Sequence, residues 1–490
     1  MKHTLRQRTW IVHAGSRALP VSAALLLSAV IAAPAATAQT FTLLHSFAGG
    51  STDGYQPKAG LVQATNGDLY GTTTAGGTDD NGVVFKITAK GKLTAVLSFE
   101  YSTNGTDGSQ PYAGLIQNGE LYGTTDAGGT SAEGTVFKVT PAGKLTTLHS
   151  FVKNTDGANP RAGLIRGANG GDYYGTTYLG GNNGVGTAFK ITPGGTLTVL
   201  HSFNGSSDGG DPVGPLVLAA NGDFYGTTYW GGASGAGTGT GTVFKLTPGG
   251  KLTTLFSFCA QGSSGCTYGA NPAAGLLWAT DGDLYGITNS GGLYGYGTIF
   301  KITTAGTLTT LHSFDSTDGA NPVAGLIQAT DGNFYGTTSG GGAGGEGTVF
   351  MMTPDWTLTT LYSFCSQTNC ADGGVPNAGL LQATDGDFYG TTYENSAGSG
   401  GGTVFKLSMG LSPFVEPQLT SGAVGASIKI LGTDLTGATG VTFNGIAAAF
   451  TVASKSEIKA TVPTGATTGA IVVTTPGSTL NSNGVFTVKP

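Results

Sequence analysis

Charge is scarce in this sequence. Asp, Glu, Lys and Arg make up 10% of 490 residues, and the formal net charge is −6. No basic stripe stands out, which argues against a protein that tracks a phosphate backbone. Histidine occurs six times and cysteine four times, too few and too scattered for a cysteine- or histidine-rich metal cluster. Apolar runs are short. None approaches the ~20 residues that a membrane-spanning helix needs. Strong helix formers at a 3.6-residue spacing are missing too, which removes helical repeats and coiled coils from consideration.

What is abundant is glycine, 87 residues of it. Between the glycines stand short runs of Thr, Val, Phe and Tyr. That is the composition of many short strands joined by tight turns. The first 38 residues differ. Lys2, Arg6, Arg8 and Arg17 precede the apolar run Ala23 to Ala33, and Ala36-Thr37-Ala38 follows with small residues. This order reads as a secretory signal cleaved before Gln39. The leader holds four of the 22 Lys+Arg and no acid, so the 28 Asp+Glu leave the remainder at −10. The expectation is an exported chain, extracellular, on the cell surface or in the periplasm, with no nucleic-acid partner. It has no membrane span after the leader.

Export makes disulfides the natural state of the cysteines. They lie in two local pairs, Cys259 with Cys266 and Cys365 with Cys370. Each bridge would close a small loop and contribute roughly 2 kcal/mol in the chain-entropy picture.

Self-similarity decides the architecture. Tyr-Gly-Thr-Thr, or a one-residue variant, starts at Tyr70, Tyr122, Tyr174, Tyr225, Tyr285, Tyr335 and Tyr389. A Gly-Thr-Val-Phe-like strand follows, with its aromatic at Phe85, Phe137, Phe189, Phe244, Phe300, Phe350 and Phe405. A Leu-His-Ser-Phe-like strand ends at Phe47, Phe99, Phe151, Phe203, Phe258, Phe314 and Phe364. One unit of about 50 residues thus holds four short strands, the content of a propeller blade. The series is also out of phase at its ends. The chain after the leader opens on a lone fourth strand, Phe41 to Phe47, and the seventh unit stops after its third, Thr403 to Leu407. The sequence therefore predicts an all-β protein. Residues 39–409 form a seven-bladed β-propeller of four-stranded blades, its ring closed by the N-terminal strand. Closure of this kind also removes exposed sheet edges.

From Pro413 the repeat is gone. Alternating strands over Ser427 to Leu431, Val441 to Phe443, Glu457 to Val462, Ala470 to Thr474 and Val485 to Val488 suit a small β-sandwich. Gly432-Thr433-Asp434-Leu435, Val441-Thr442-Phe443-Asn444-Gly445, Ile458 to Pro463 and Gly469 to Val473 resemble IPT/TIG domains. That resemblance implies an immunoglobulin-like fold for residues 410–490. Tyr-Gly-Thr-Thr, Gly241 to Pro248 and Asp156 to Pro160 are in turn similar to the GloVer tandem repeat of bacterial exported proteins. The likeness covers nearly all of residues 40–409 and implies export and a surface location.

Few residues suggest chemistry. His45, His149, His201 and His312 share one repeat position, which Leu97, Phe256 and Tyr362 fill elsewhere. A position so interchangeable reads as packing. Asp-Gly recurs at Asp53, Asp107, Asp156, Asp208, Asp318 and Asp372, while Tyr268-Gly269 breaks the set. A circle of such carboxylates could attract Ca²⁺, but a repeated Asp-Gly is foremost a turn. A second acidic series, Asp68, Glu120, Asp172, Asp223, Asp283 and Asp387, precedes the second strands and suggests no chemistry. No catalytic residue, metal site or cofactor is assigned.

Residues that break the repeat say more. The loop after Tyr-Gly-Thr-Thr opens with Tyr178, with Tyr229-Trp230 and with Tyr393, and Tyr294 decorates the same loop in unit five. Exposed aromatics there can stack on sugar rings or anchor a partner; equally, they can cover strands. The expectation is a non-catalytic binding or adhesion protein whose propeller face meets glycan or a surface protein. The alternatives are a secreted polysaccharide hydrolase or lyase using acids of that face, and an architectural component of the cell envelope.

Overall fold

The computed structural model describes residues 39–100, 106–168, 170–233, 239–260, 266–395 and 400–489. The expected signal segment, 1–38, lies outside the described residues. Among those residues there is no α-helix. One short 3₁₀ turn spans Thr368–Cys370, and everything else is strand, turn or loop.

Seven four-stranded antiparallel sheets follow one another along the chain. The third unit is representative: Ile165–Arg166 pairs with Tyr173–Thr177, which pairs with Thr187–Ile191, which pairs with Leu197–Ser202. Thr40–Ser46 is the exception in chain order. It joins the seventh sheet against Thr403–Ser408, with Leu43 opposite Phe405 and Ser46 opposite Thr403.

The recurring tetrapeptide is explained by packing. A Cβ on Gly123 would lie 2.8 Å from Phe137 Cζ and 2.8 Å from Leu115 Cδ2. The Gly of Tyr-Gly-Thr-Thr thus makes room for the Phe of Gly-Thr-Val-Phe on the adjacent strand, and the two motifs require each other. The first Thr of the motif reaches the next sheet. Thr72 donates to the Ala113 carbonyl (3.2 Å), Thr124 to Ala162 (3.3 Å), Thr227 to Ala274 (2.7 Å) and Thr337 to Ala378 (3.1 Å). Thr391 makes the same bond to Ala59, from the last unit to the first (3.1 Å). In unit four the Ala-Gly pair is replaced by Gly214-Pro215, and there the Thr176 hydroxyl is buried without a partner. Between sheets the core is aromatic. Phe151 meets Phe189 edge to face at 5.3 Å, and the same contact recurs between Phe203 and Phe244 at 5.2 Å.

The C-terminal segment builds two further four-stranded sheets. One is ordered Glu416–Pro417, Ser427–Leu431, Glu457–Thr461, Phe450–Val452; the other Ile446–Ala447, Gly440–Phe443, Ile471–Thr474, Thr479–Asn481. Alternate residues of both, Ile428, Ile430, Val441, Phe443, Ile458, Ile471 and Val473 among them, share one buried core.

This segment also touches the repeats. Ser456 donates to the Thr65 carbonyl (2.8 Å), Gln418 Nε2 to Gln117 Oε1 (2.9 Å) and Lys489 Nζ to the Ala168 carbonyl (2.7 Å). Asn483 reaches the Gln328 carbonyl (3.2 Å), and the Thr384 and Thr433 hydroxyls are 2.9 Å apart. These contacts fall at or beside the turns that follow the inner strands of five sheets.

Candidate functional site

The segments leading into the seven inner strands line one cavity of about 610 Å³. Its wall is built from Ala, Gly and Leu of the repeated Ala-Gly-Leu segment. Small residues are required because the inner strands crowd together: a Cβ on Gly60 would lie 3.1 Å from the Gly379 carbonyl, and one on Gly325 3.2 Å from that of Gly275.

At one end of this cavity stands a single position per repeat, just before Ala-Gly-Leu. It carries Lys58, Tyr112, Arg161, Val213, Ala273, Val323 and Asn377, and all seven line the cavity. The backbone there is tightly fixed. A Pro precedes each of the seven, and before it comes a residue in the left-handed region, such as Asn159 (φ 53°) or Asn271 (φ 55°). Asn tolerates that conformation and Pro restricts the next φ. Asn159 then donates its amide to the Asp126 carbonyl (2.9 Å), and its own carbonyl accepts from the Tyr178 N–H (3.0 Å). Asn271 does the same for Tyr229 and Asn289. The scaffold repeats, while the side chains it presents do not.

Those side chains form an arc. The Lys58 ammonium donates to the Tyr112 hydroxyl (2.7 Å), 4.2 Å from that ring's centroid and 5.1 Å from the ring of Tyr393. Arg161 lies 4.1 Å from the ring of Tyr178 and 5.4 Å from Tyr112. Its Nε donates to Asp126 Oδ1 at 2.9 Å. Burial works against the Arg161 charge, but the bond to Asp126 and the neighbouring phenols hold its pKa above the ordinary value. Beyond it, burial and the Asp211 carboxylate raise the Tyr178 phenol. Burial also raises Asp211, against its bond to Tyr178 and the charge of Arg161. Cations over phenol faces are attracted by the ring quadrupole, the more so as water is removed. The opposite side of the mouth, from Val213 round to Asn377, is uncharged.

The Gloeobacter/Verrucomicrobia repeat matches residues 30–170, 94–268 and 238–445. The chain belongs to this repeat family. No curated protein matches it. Among solved structures, a streptogramin B lyase is 14% identical with a TM-score of 0.50, covering 77% of this chain and 99% of its own. A fungal alcohol oxidase of the AA5 family in complex with copper is 14% identical (TM-score 0.47), covering 92% of this chain and 99% of its own. A periplasmic gluconolactonase of Pseudomonas aeruginosa is 16% identical (TM-score 0.42; 71% and 97%). At these identities the likeness to the lyase is one of fold, an all-β, propeller-like arrangement.

Within this repeat-family chain, the expected aromatics separate into two places. Tyr229 lines the cavity, and Tyr178 and Tyr393 flank it through Arg161 and Lys58. Trp230 turns away, against Gly205 and Gly210, and stays 36% exposed. Tyr294 is exposed beside Leu293 and Tyr296 on unit five. Lys58, Tyr112, Arg161, Asp126 and Asp211 were not among the expected site residues. Lys58, Tyr112 and Arg161 were detectable as a repeat position whose side chain changes character in almost every unit.

The histidine position needs a correction. It is not interchangeable packing alone, because each His holds the Asp of the following loop. His149 Nε2 is 2.8 Å from Asp156, His201 2.8 Å from Asp208, His312 2.7 Å from Asp318 and His45 3.2 Å from Asp53. Tyr362 bonds Asp372 in the same way (2.8 Å). In unit five both partners change, and Phe256 meets Tyr268 edge to face. The other oxygen of Asp156 accepts the Val152 N–H (2.7 Å), and that of Asp208 the Asn204 N–H (2.9 Å). These carboxylates, considered above for Ca²⁺, thus hold their own turns.

The second acidic series also has partners. Lys138 bonds Glu120 (2.7 Å), Lys301 bonds Asp283 (2.7 Å) and Lys406 bonds Asp387 (2.9 Å). In unit six the pair is replaced by Asn333 and Met351. Among the described residues no three of His, Cys, Asp and Glu are placed to share a metal ion. The cysteines form the bridges Cys259–Cys266 and Cys365–Cys370, and no described helix is long and apolar enough to cross a membrane.

Proposed function

We propose that this is an exported glycan-binding protein that takes its ligand at the mouth of the inner-strand cavity. In this reading residues 39–409 are a seven-bladed propeller closed by Thr40–Ser46, which the bond from Thr391 back to Ala59 supports. Residues 410–490 are an immunoglobulin-like domain of the IPT/TIG type, acting as spacer or second contact. Residues 1–38 direct export, and the two disulfides fit an oxidising destination.

One observation carries the functional reading: Lys58, Tyr112, Arg161, Tyr178, Tyr229 and Tyr393 gather from five units on one side of a cavity of small-molecule size. Aromatic faces with polar tips suit sugar rings. A cavity suits a saccharide residue better than the flat contact of two folded proteins. Asp126 and Asp211, the acids that a hydrolase would draw on here, are already engaged by Arg161 and Tyr178, which favours binding over hydrolysis. No cofactor is invoked.

A glycan array with the purified protein, followed by calorimetry on the hits, tests this. Tyr112→Ala and Tyr178→Ala should each weaken binding about tenfold or more, and Trp230→Ala should leave it unchanged. Binding that survives both mouth variants and is lost with Trp230→Ala would move the site to the outer loops. Capture of proteins with no glycan bound would overturn the reading.

A further inference from the structure

We propose that the ligand is an acidic saccharide whose anionic group sits between Lys58 and Arg161. This rests on the glycan reading above and adds its charge.

Lysines on the third strands of the repeats are neutralised. Lys86, Lys138, Lys190, Lys245, Lys301 and Lys406 each face an acid of the second series, at 2.7 to 3.8 Å. Lys58, at the cavity mouth, has no such acid. The described residues give it two aromatic rings and one hydroxyl, and no carboxylate within ion-pair distance. A half-buried ammonium has lost part of its hydration. Phenol faces restore only some of that loss, and an anion restores the rest. Arg161 is used incompletely as well. Asp126 takes its Nε–H, and the two terminal nitrogens remain for a ligand oxygen. Guanidinium groups recognise carboxylates and sulfates well because their donors form a rigid fork.

Charge at the mouth is one-sided. Lys58 and Arg161 flank Tyr112 on the first three units, while Val213, Ala273 and Val323 face them. A ligand with an anion on one edge and a bare ring face on the other matches that division. The wall below is made of Ala, Gly and Leu, whose small side chains leave room for a sugar ring. An acidic sugar residue uses both the cations and the apolar wall. A neutral sugar leaves Lys58 unmatched, and a simple inorganic anion leaves the ring faces unused.

Calorimetry on the purified protein with trigalacturonate, its fully methyl-esterified form and neutral trigalactose decides the point. The acid should bind about tenfold or more tightly than either neutral form, with an affinity that falls as salt rises. Lys58→Gln, checked for folding by thermal unfolding, should abolish that preference, so that acid and methyl ester bind alike. Equal binding of acid and methyl ester overturns the acidic-ligand proposal while leaving a glycan site in place. Failure of all three saccharides, with glycan-array hits also absent, overturns both. Should Lys58→Gln not fold, the comparison of acid with ester on the unaltered protein still decides.

Discussion

His201 Nε2 lies 2.8 Å from Asp208 Oδ2, and the other oxygen of that carboxylate accepts the Asn204 N–H. The imidazole and the loop backbone thus share one acid, tying the end of a fourth strand to the loop that leads to the next unit. Four of the seven units use this His–Asp pair, one uses Tyr–Asp and one replaces both partners with Phe256 and Tyr268.

The pair should therefore tolerate joint exchange better than single exchange. His201→Phe leaves a buried carboxylate short of a donor, a loss of about 1–3 kcal/mol. The double variant His201→Phe/Asp208→Tyr copies unit five and should recover part of that loss. Thermal unfolding of the single and double variants measures it; a double variant no better than the single would mean that the partners act independently.

Gly123 carries a second prediction. Its Cβ would meet Phe137 and Leu115, both at 2.8 Å, so Gly123→Ala should destabilise by about 1–3 kcal/mol through overpacking. Gly171 has nothing within 4 Å, and Gly171→Ala should be near neutral. Equal unfolding midpoints for the two variants would contradict the packing explanation of Tyr-Gly-Thr-Thr.

Alkali should unfold the protein through its phenols. Burial raises Tyr285, with Asp281 bonded to it, to about 12; burial likewise raises Tyr362 to about 12. Burial pushes Tyr173, Tyr335 and Tyr389 higher still. A phenol whose folded pKa is raised favours the fold fully below its ordinary value near 10. That contribution is lost as pH rises towards the folded value. Phenolate absorbance should thus show a late class of tyrosines that ionise together with loss of circular dichroism. Complete ionisation of all tyrosines near pH 10 with the fold intact would contradict their burial.

Removing residues 1–47 deletes the strand paired with Thr403–Ser408 and bares an edge next to Val404 and Phe405, both fully buried. The truncated protein should aggregate or lose its cooperative transition. A synthetic peptide of residues 39–47 should restore solubility by adding a strand to that edge. A truncated protein as stable as the parent would mean that Thr40–Ser46 closes nothing.

The strand content was legible because every unit repeats a Gly facing a Phe, and five of the seven add a Thr reaching the next sheet. Two local cysteine pairs were legible as well. The mouth was not, because repetition draws attention to what recurs. Lys58, Tyr112 and Arg161 occupy one position of the unit without sharing a residue type. Lys58 and Tyr393, moreover, lie at opposite ends of the repeat array and meet only when the last unit is packed against the first. The His–Asp and Lys–Asp partnerships were visible in principle as paired substitutions among units, Phe256 with Tyr268 and Met351 with Asn333. Treating each series alone hid them.

The most direct test of the account is a crystal structure of the protein with trigalacturonate. The account predicts a sugar carboxylate within hydrogen-bond reach of Lys58 Nζ and a terminal nitrogen of Arg161, with a ring face on Tyr112 or Tyr178. A saccharide lodged instead against Trp230 or Tyr294, with the cavity mouth empty, would contradict it.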